Sequence, residues 1–287
     1  FSPPVLYLLF AVLSSVGVIH LLKLAGHRNI PRFPLFVVNY AVAFLAGFVR
    51  ADQPTSLHGL PLGYWLLAAT VGIAFVLAFF ALSRAVTEAG PSLATTVSRL
   101  AIAIPVAVSV TLFGEQASAG QLLGILLTLF VLPLSSPESP LRGGLSLRRS
   151  DRTAFLWLLL LFLLFGFNDV AFKMREEFYR SLDERAFTVI LFGTSLFMSA
   201  AITIKRRERI GCETAFVGVA LGVVNYSSAI WLIRALQVLP AFQVYPVNSI
   251  GIIVLATISS VLVWKERPKG HHYLFYVGAA GAVYLLS

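Results

Sequence analysis

LSRAVTEAGPSLATTVSRLAIAIPVAVSVTLFGE, residues 82–115, holds two apolar segments joined by a tight polar turn, and the chain states it twice. Residues 232–266 read LIRALQVLPAFQVYPVNSIGIIVLATISSVLVWKE, so that Arg84 and Ala85 are answered by Arg234 and Ala235 at an offset of 150 (84 to 234). The closing residues Glu115 and Glu266 stand 151 apart (115 to 266), one residue of slippage between the copies. Lys23 and Lys173 also stand 150 apart (23 to 173), which carries the repetition toward both ends of the chain. The sequence of 287 residues therefore reads as two halves of one design.

Composition identifies the solvent of those segments. Hydrophobic residues make up 58% of the chain and charged residues 12%, and the mean hydropathy is +0.85. Soluble domains are roughly half apolar and one quarter charged, so this is a membrane protein. A helix crosses about 30 Å of hydrocarbon with about 17 to 25 apolar residues, and closure of backbone hydrogen bonds in lipid makes helix the natural conformation of such runs. Ten runs qualify, at residues 4–24, 34–50, 63–86, 92–112, 119–135, 153–172, 186–204, 214–234, 241–263 and 271–287. The expected fold class is all-α and polytopic. A first repeat occupies 1–135, a second 153–287, and the polar linker SPESPLRGGLSLRRSDR marks the seam over 136–152.

Five spans per half make the second half enter the membrane in the sense opposite to the first. Such inverted repeats are a recurrent architecture of secondary transporters, with the substrate site near the midplane. The net charge of +9 follows the loops. Connections after odd-numbered spans hold Lys23, Arg28, Arg32, Arg84, Arg142, Arg148, Arg149, Arg152, Lys205, Arg206, Arg207, Arg209, Lys265, Arg267 and Lys269, against Arg50, Lys173, Arg175, Arg180, Arg185 and Arg234 after even ones. By the positive-inside rule the odd loops face the cytoplasm and both ends of the chain face out. That rule and anionic lipid account for the basicity, so nucleic acid is not an expected partner. The partners expected are the bilayer and a small molecule, with the chain as monomer or homodimer in the plasma (inner) membrane. Cys212 is alone and closes no disulfide within the chain.

Several of these features together resemble the drug/metabolite transporter superfamily, specifically bacterial EamA-type carriers: the Lys closing spans one and six, the Arg-Ala turn before spans four and nine, the closings FGEQASAGQLLGILL (113–127) and WKERPKGHHYLFYVG (264–278), and VNYSSAIWLIRALQVLPAFQVYPVNSIGIIVLATISSVLVWKE (224–266). The resemblance covers nearly the whole chain. It implies a ten-helix carrier in which spans one to four and six to nine surround a central cavity and spans five and ten are peripheral. Members of that family are usually drawn with both termini in the cytoplasm, whereas the charge count here runs the other way.

Candidate chemistry lies with polar residues inside the apolar spans, because a charge at the bilayer centre costs about 2.5 to 3.5 kcal/mol on insertion scales and such residues usually face a cavity or a partner. Arg99 stands eight residues after Pro91, which can open the helix at its first position; at about 1.5 Å per residue that is about 12 Å deep. It is either an anion-coordinating arm for substrate or one side of an internal ion pair. At the 150 offset Arg99 is matched by Ser249 and Ser98 by Asn248, so the repeat is broken at the depth of a site. Tyr245, Asn248 and Ser249 share one helical face. Asn225 and Tyr226 in span eight and Asn39 and Tyr40 in span two complete the candidate lining, with interhelical bonding as the alternative use of the Asn amides. Asp169 can pair with Lys173 four residues on, or meet Arg99 or His20 and couple proton movement to transport; His20 aligns one position from Asp169 at the 150 offset.

Other residues read as structural. Arg84 and Arg234 complement helix C-termini, and Glu115 and Glu266 the N-termini of spans five and ten. Gly120 with Gly124, and Gly278 with Ala282, are small-residue stripes for close packing or a dimer face. Pro105 and Pro246 remove a backbone donor inside spans four and nine and can kink them. The adjacent His271 and His272 are poorly placed to share a metal on one helix, and no cofactor is expected. No GxxxxGK[ST] loop is present for ATP-driven transport, and no HExxH or GxSxG motif for a membrane enzyme. The reading is a secondary active transporter that exports or exchanges a small polar metabolite, anionic or zwitterionic, by alternating access. A multidrug or cationic-compound exporter, a lipid-linked substrate flippase and, last, a polytopic membrane enzyme are the alternatives.

Overall fold

The computed structural model describes residues 3–48, 55–135, 152–264 and 270–286. Most of the linker 136–152 and the residues around Glu266 lie outside that set, as do the side chains of His271 and His272. The described elements are α1 (Pro3–His27), α2 (Arg32–Ala46), α3 (Leu62–Ala89), α4 (Pro91–Leu100), α5 (Ala103–Thr111), α6 (Ala119–Val131) continued by a 3-10 turn (Leu132–Ser135), α7 (Arg152–Tyr179), α8 (Glu184–Lys205), α9 (Cys212–Val238), α10 (Ala241–Trp264) and α11 (Gly270–Leu286). No strand occurs among the described residues.

Seven helical segments are long and apolar enough to cross a bilayer, and three shorter apolar helices, Arg32–Ala46, Ala119–Leu134 and Tyr273–Leu286, accompany them. The protein is thus an all-helical polytopic membrane protein. Its outer surface agrees: Phe197, Phe216 and Tyr284 are about four-fifths exposed, an arrangement that suits lipid and would be costly in water.

Two spans depart from the simple hydropathy reading. The segment expected as one helix over 92–112 is two helices, α4 and α5, with Ala101 and Ile102 in a turn between them. Pro105 is the cause, because it lacks the N–H that Ala101 would accept and its ring crowds that carbonyl. Ile104 N–H takes the Ala101 carbonyl instead, at 3.0 Å. By contrast α10 runs through Pro246 as one helix. The sixth span extends seven residues beyond its expected end at 172, to Tyr179, because Lys173, Arg175 and Glu176 are buried within the protein.

The helices form two compact units, each drawing on both halves of the sequence. The first is Phe1–Val76 with Met174–Val238, the second Leu77–Lys173 with Leu239–Ser287. Within the first unit α9 packs on both α1 and α2, and α2 packs on α8. Gly218 and Gly222 make the α2 contact possible: a Cβ on Gly218 would stand 2.6 Å from Cβ of Val38, and one on Gly222 2.6 Å from the Asn39 carbonyl. At Gly72 a Cβ would come within 2.4 Å of the Leu191 carbonyl, and Ser195 Oγ donates to the Gly72 carbonyl at 2.9 Å, so α3 and α8 touch backbone to backbone. At one end of this unit Arg175 is fully buried, donating to Glu176 at 3.0 Å and to the Leu182 carbonyl, while Tyr64 donates to the Asp183 carbonyl at 2.7 Å. The loop reading of Arg175 is thereby corrected.

Within the second unit α6 lies on α11, where Gly278 leaves no room for a side chain beside Val131 and Gly124 only a tight fit, a Cβ there standing 3.0 Å from Leu285 Cβ. Of the small-residue stripes, Gly124, Gly278 and Ala282 are used for packing inside the unit, and Gly120 is not. Ala81, Ala85 and Ala94 pack with Leu158 and Leu161, which seats α4 against α7. The start of α6 is held by a capping box, Ser118 with Gln121, and not by Glu115.

Candidate functional site

The second unit gathers four of the candidate residues: Arg99, Asp169, Tyr245 and Asn248. They come from three elements. The first, α4, opens after Gly90, whose φ of 88° lies in the left-handed region that a glycine adopts without strain. It then runs beside α7 in register, with three points fixing the alignment. Ala94 is in the cluster of Leu158 and Leu161. Gly166 is so close to Ile104 that a Cβ there would stand 2.4 Å from Ile104 Cδ1 and 2.8 Å from its Cβ. Lys173 Nζ meets Glu115 at 2.8 Å. Arg99 and Asp169 fall within this ladder and act on each other electrostatically.

That pair is not a closed salt bridge. No nitrogen of Arg99 lies within 4.0 Å of an Asp169 oxygen, and neither side chain has a hydrogen-bond partner among the described residues. The alternative pair that the spacing allows, Asp169 with Lys173, is not formed among the described contacts; Lys173 is turned to Glu115 and lies over Phe113 at 5.6 Å. An arginine and an aspartate, both half-buried, thus stand near each other without touching, where their attraction is stronger than in bulk water.

The third element is α10, which packs on α5. Tyr245 is 2% exposed and its hydroxyl donates to the Asp169 main-chain carbonyl, tying α10 to α7 at the level of the charge pair. Two amide oxygens nearby in sequence, Oδ1 of Asn168 and Oδ1 of Asn248, are buried and without a partner. Buried polar groups are hydrogen-bonded in the great majority of cases, so two orphaned acceptors in the unit that holds an unbridged charge pair mark hydrogen-bonding capacity left unspent. Ser249 is 7% exposed on the same helix.

Glu115 anchors this assembly. Besides Lys173 it accepts the backbone N–H groups of Ala241 at 2.9 Å and Phe242 at 3.2 Å, so one carboxylate caps α10 and holds α7. Sequence reasoning assigns Glu115 to the start of the fifth span; the structure assigns it to the start of the ninth. A signal for that was present only in part, since α10 begins after Pro240 with Ala241, leaving no Ser, Thr, Asn or Asp at its N-cap.

The remaining candidates lie in the first unit. Asn225 Nδ2 donates to Asn39 Oδ1 at 3.2 Å, binding α9 to α2. Tyr40 is 4% exposed and stacks with Phe192 at 6.1 Å, which in turn meets Tyr226 at 6.5 Å. That bond between helices is the second of the two uses open to the amides. His20 is half-buried on α1. Arg234, read as a helix-dipole partner, forms a 2.9 Å ion pair with Glu184 and lies over Trp231 at 5.0 Å; Gln237 adds a second donor to Glu184 at 3.2 Å.

A cavity of about 900 Å³ lies between α10 and α11, with walls of Val247, Ile250, Val254, Ile258, Tyr276 and Val283 among others. It is apolar, and none of the candidate polar residues lines it.

No family model matches the chain. An uncharacterized protein of Haemophilus influenzae is 24% identical over 290 residues, an alignment that covers 97% of this chain and 96% of that one. A crystal structure of another protein, 16% identical, superposes with a TM-score of 0.78 over 100% of this chain and 98% of its own, a likeness of fold.

Proposed function

We propose that the protein is a secondary active transporter of the EamA type within the drug/metabolite transporter superfamily, moving a small anionic or zwitterionic metabolite across the plasma (inner) membrane by alternating access. The observation that carries this reading is Arg99. It is a cation inside an apolar segment, on a helix interrupted two residues later, facing Asp169 without contact and with no direct partner among the described residues. A cation kept in hydrocarbon at a cost of about 2.5 to 3.5 kcal/mol and left unbridged is placed to receive an anion. Discontinuous helices beside a buried charge are how transporter folds expose polar backbone to a substrate. The ten-helix layout as two inverted five-helix repeats is supported by the seven long and three shorter apolar helices and by the repeat of residues 82–115 at 232–266. In this reading Asn248 and Asn168 orient the substrate, Tyr245 holds α10 to α7, and Asn39, Tyr40, Asn225 and Tyr226 brace the first unit.

Reconstituted protein tests it. Uptake into proteoliposomes is measured across carboxylates, phosphates and amino acids, together with the thermal shift each gives the purified protein. Arg99→Ala abolishes both uptake and shift for the transported compound, and Arg99→Lys retains part of each because it keeps the charge and loses the planar fork. Unchanged uptake and affinity in Arg99→Ala overturns the anion reading; transport of organic cations abolished by Asp169→Asn establishes the multidrug alternative in its place.

A further inference from the structure

The charge count around Arg99 has a consequence for what crosses the membrane with the anion. Among the described residues of the second unit, the charged and titratable groups that face Asp169 are Arg99 on α4 and, through its hydroxyl, Tyr245 on α10. Lys173, one turn on along α7, is held by Glu115. The site's own charges are therefore one positive and one negative, net neutral, with the two groups apart and neither fixed by a direct bond among the described residues. A monoanion seated on Arg99 adds a second negative charge to the same half-buried space inside the apolar spans, where an uncompensated charge is disfavoured.

We propose that anion binding at Arg99 is balanced by protonation of Asp169, so that the protein is an electroneutral anion–proton symporter. The proposal rests on the reading of Arg99 as the anion's partner. Each step conserves charge and atoms. A proton passes from water to a carboxylate oxygen of Asp169 as the anion reaches the guanidinium; both leave on the other side, the proton to water and the anion to solution. The loaded form is Arg99 cation, substrate anion and neutral Asp169; the empty form is Arg99 cation and Asp169 anion. Both are neutral and both can reorient. Net movement runs wherever the combined anion and proton gradients fall. Lys173 is excluded as the compensating group because its charge is already matched by Glu115, and Tyr245 because its hydroxyl is committed to the Asp169 carbonyl.

The test uses full-length protein in proteoliposomes with pyranine inside as a pH reporter, and pyruvate, L-glutamate and inorganic phosphate as probes. The expected result is that a transported probe acidifies the lumen, and that its initial rate is unchanged when valinomycin and a potassium gradient impose a membrane potential. Asp169→Asn mimics the protonated carboxyl: its loaded form stays neutral and its empty form carries one uncompensated positive charge. It retains exchange of labelled for unlabelled probe within about twofold of wild type while net uptake falls about tenfold or more. Asp169→Glu keeps acidification. A rate that follows the imposed potential overturns the proposal, as does Asp169→Asn with wild-type net uptake and acidification; the potential measurement on wild-type protein decides even where the variant does not fold. If Arg99→Ala abolishes transport while the Asp169 variants change nothing, the anion reading stands and only the coupling is wrong. Transport of none of the three probes by wild-type protein overturns both.

Discussion

Glu115 does the work of two residues. Its Oε1 accepts from Lys173 Nζ and from the Ala241 N–H, and its Oε2 from the Phe242 N–H. The side chain is 11% exposed and that of Lys173 9%, so each charge depends on the other: removing one partner of a buried ion pair leaves an uncompensated charge and costs about 3 to 5 kcal/mol. Glu115→Gln and Lys173→Gln are each expected to lower thermal stability in detergent by about that amount, and the double substitution by clearly less than the sum, because it removes the stranded charge. Additive losses would show that the two side chains do not act as a pair. The same contact explains why Asp169 is left to Arg99. From sequence, Asp169 and Lys173 at a spacing of four satisfy each other on one helix. Only the approach of the loop carrying Glu115 turns Lys173 away, and that approach depends on how three helices pack, which no local pattern encodes.

At the scale of the element, the division of the fourth apolar span into α4 and α5 sets where Arg99 stands. Proline in a helix interior costs about 3 kcal/mol, and here the cost falls on the Ala101 carbonyl, taken by Ile104 in a tighter turn. Pro105→Ala restores the missing N–H and lets α4 and α5 join. The expected outcome is a more heat-stable protein, by up to about 3 kcal/mol, and, if the chain is the transporter proposed, transport at least about fivefold slower, since the last turn of α4 rotates Arg99 relative to Asp169. Equal transport by the joined helix would show that the interruption is incidental. Hydropathy made the spans legible because lipid imposes length and apolarity on every crossing helix. Proline at 105 gave warning of the interruption through its missing donor. The close approach of α7 at Gly166 was not legible, because a glycine within an apolar run reads the same whether it faces lipid or the side chain of Ile104. Asn39 and Asn225, 186 residues apart in sequence, were recognisable as polar groups inside spans; that they bond to each other depends on α2 meeting α9.

For the molecule as a whole, the remaining question is which way it sits in the membrane, and the first unit carries an argument for one answer. Its two ends are sorted by loop. At one end Arg28, after α1, pairs with Glu213, at the start of α9, at 2.7 Å, and Arg206, after α8, lies over Phe33 of α2 at 4.6 Å. These are the connections after the first and seventh spans, and Lys205, Arg207 and Arg209 add to the same loop. At the other end Tyr64 of α3, the Leu182 and Asp183 carbonyls before α8, and Gln237 of α9, whose carbonyl accepts from Arg180, come from connections two, six and eight. There Glu176 serves both Arg175 and Arg180 and Glu184 serves Arg234, and with Arg185, Glu177 and Asp183 the charges balance; at the first end Lys23, Arg28, Arg32, Lys205, Arg206, Arg207 and Arg209 stand against Glu208 and Glu213, so the excess of basic groups concentrates there. Positive charge left unmatched in short loops is retained on the cytoplasmic side, so for a chain in the plasma membrane, as proposed, the expected place of the loop between α8 and α9 is inside the cell. Cys212, the single cysteine of the sequence, is exposed at that loop. A membrane-impermeant maleimide is therefore expected to leave Cys212 unlabelled in intact cells and to label it fully once the membrane is permeabilised. Equal labelling of intact cells would invert the orientation. In that case Arg28, Arg206, Arg207 and Arg209 would face outward against the rule, and the basic loops would need another cause, such as recruitment of an anionic substrate to the outer mouth.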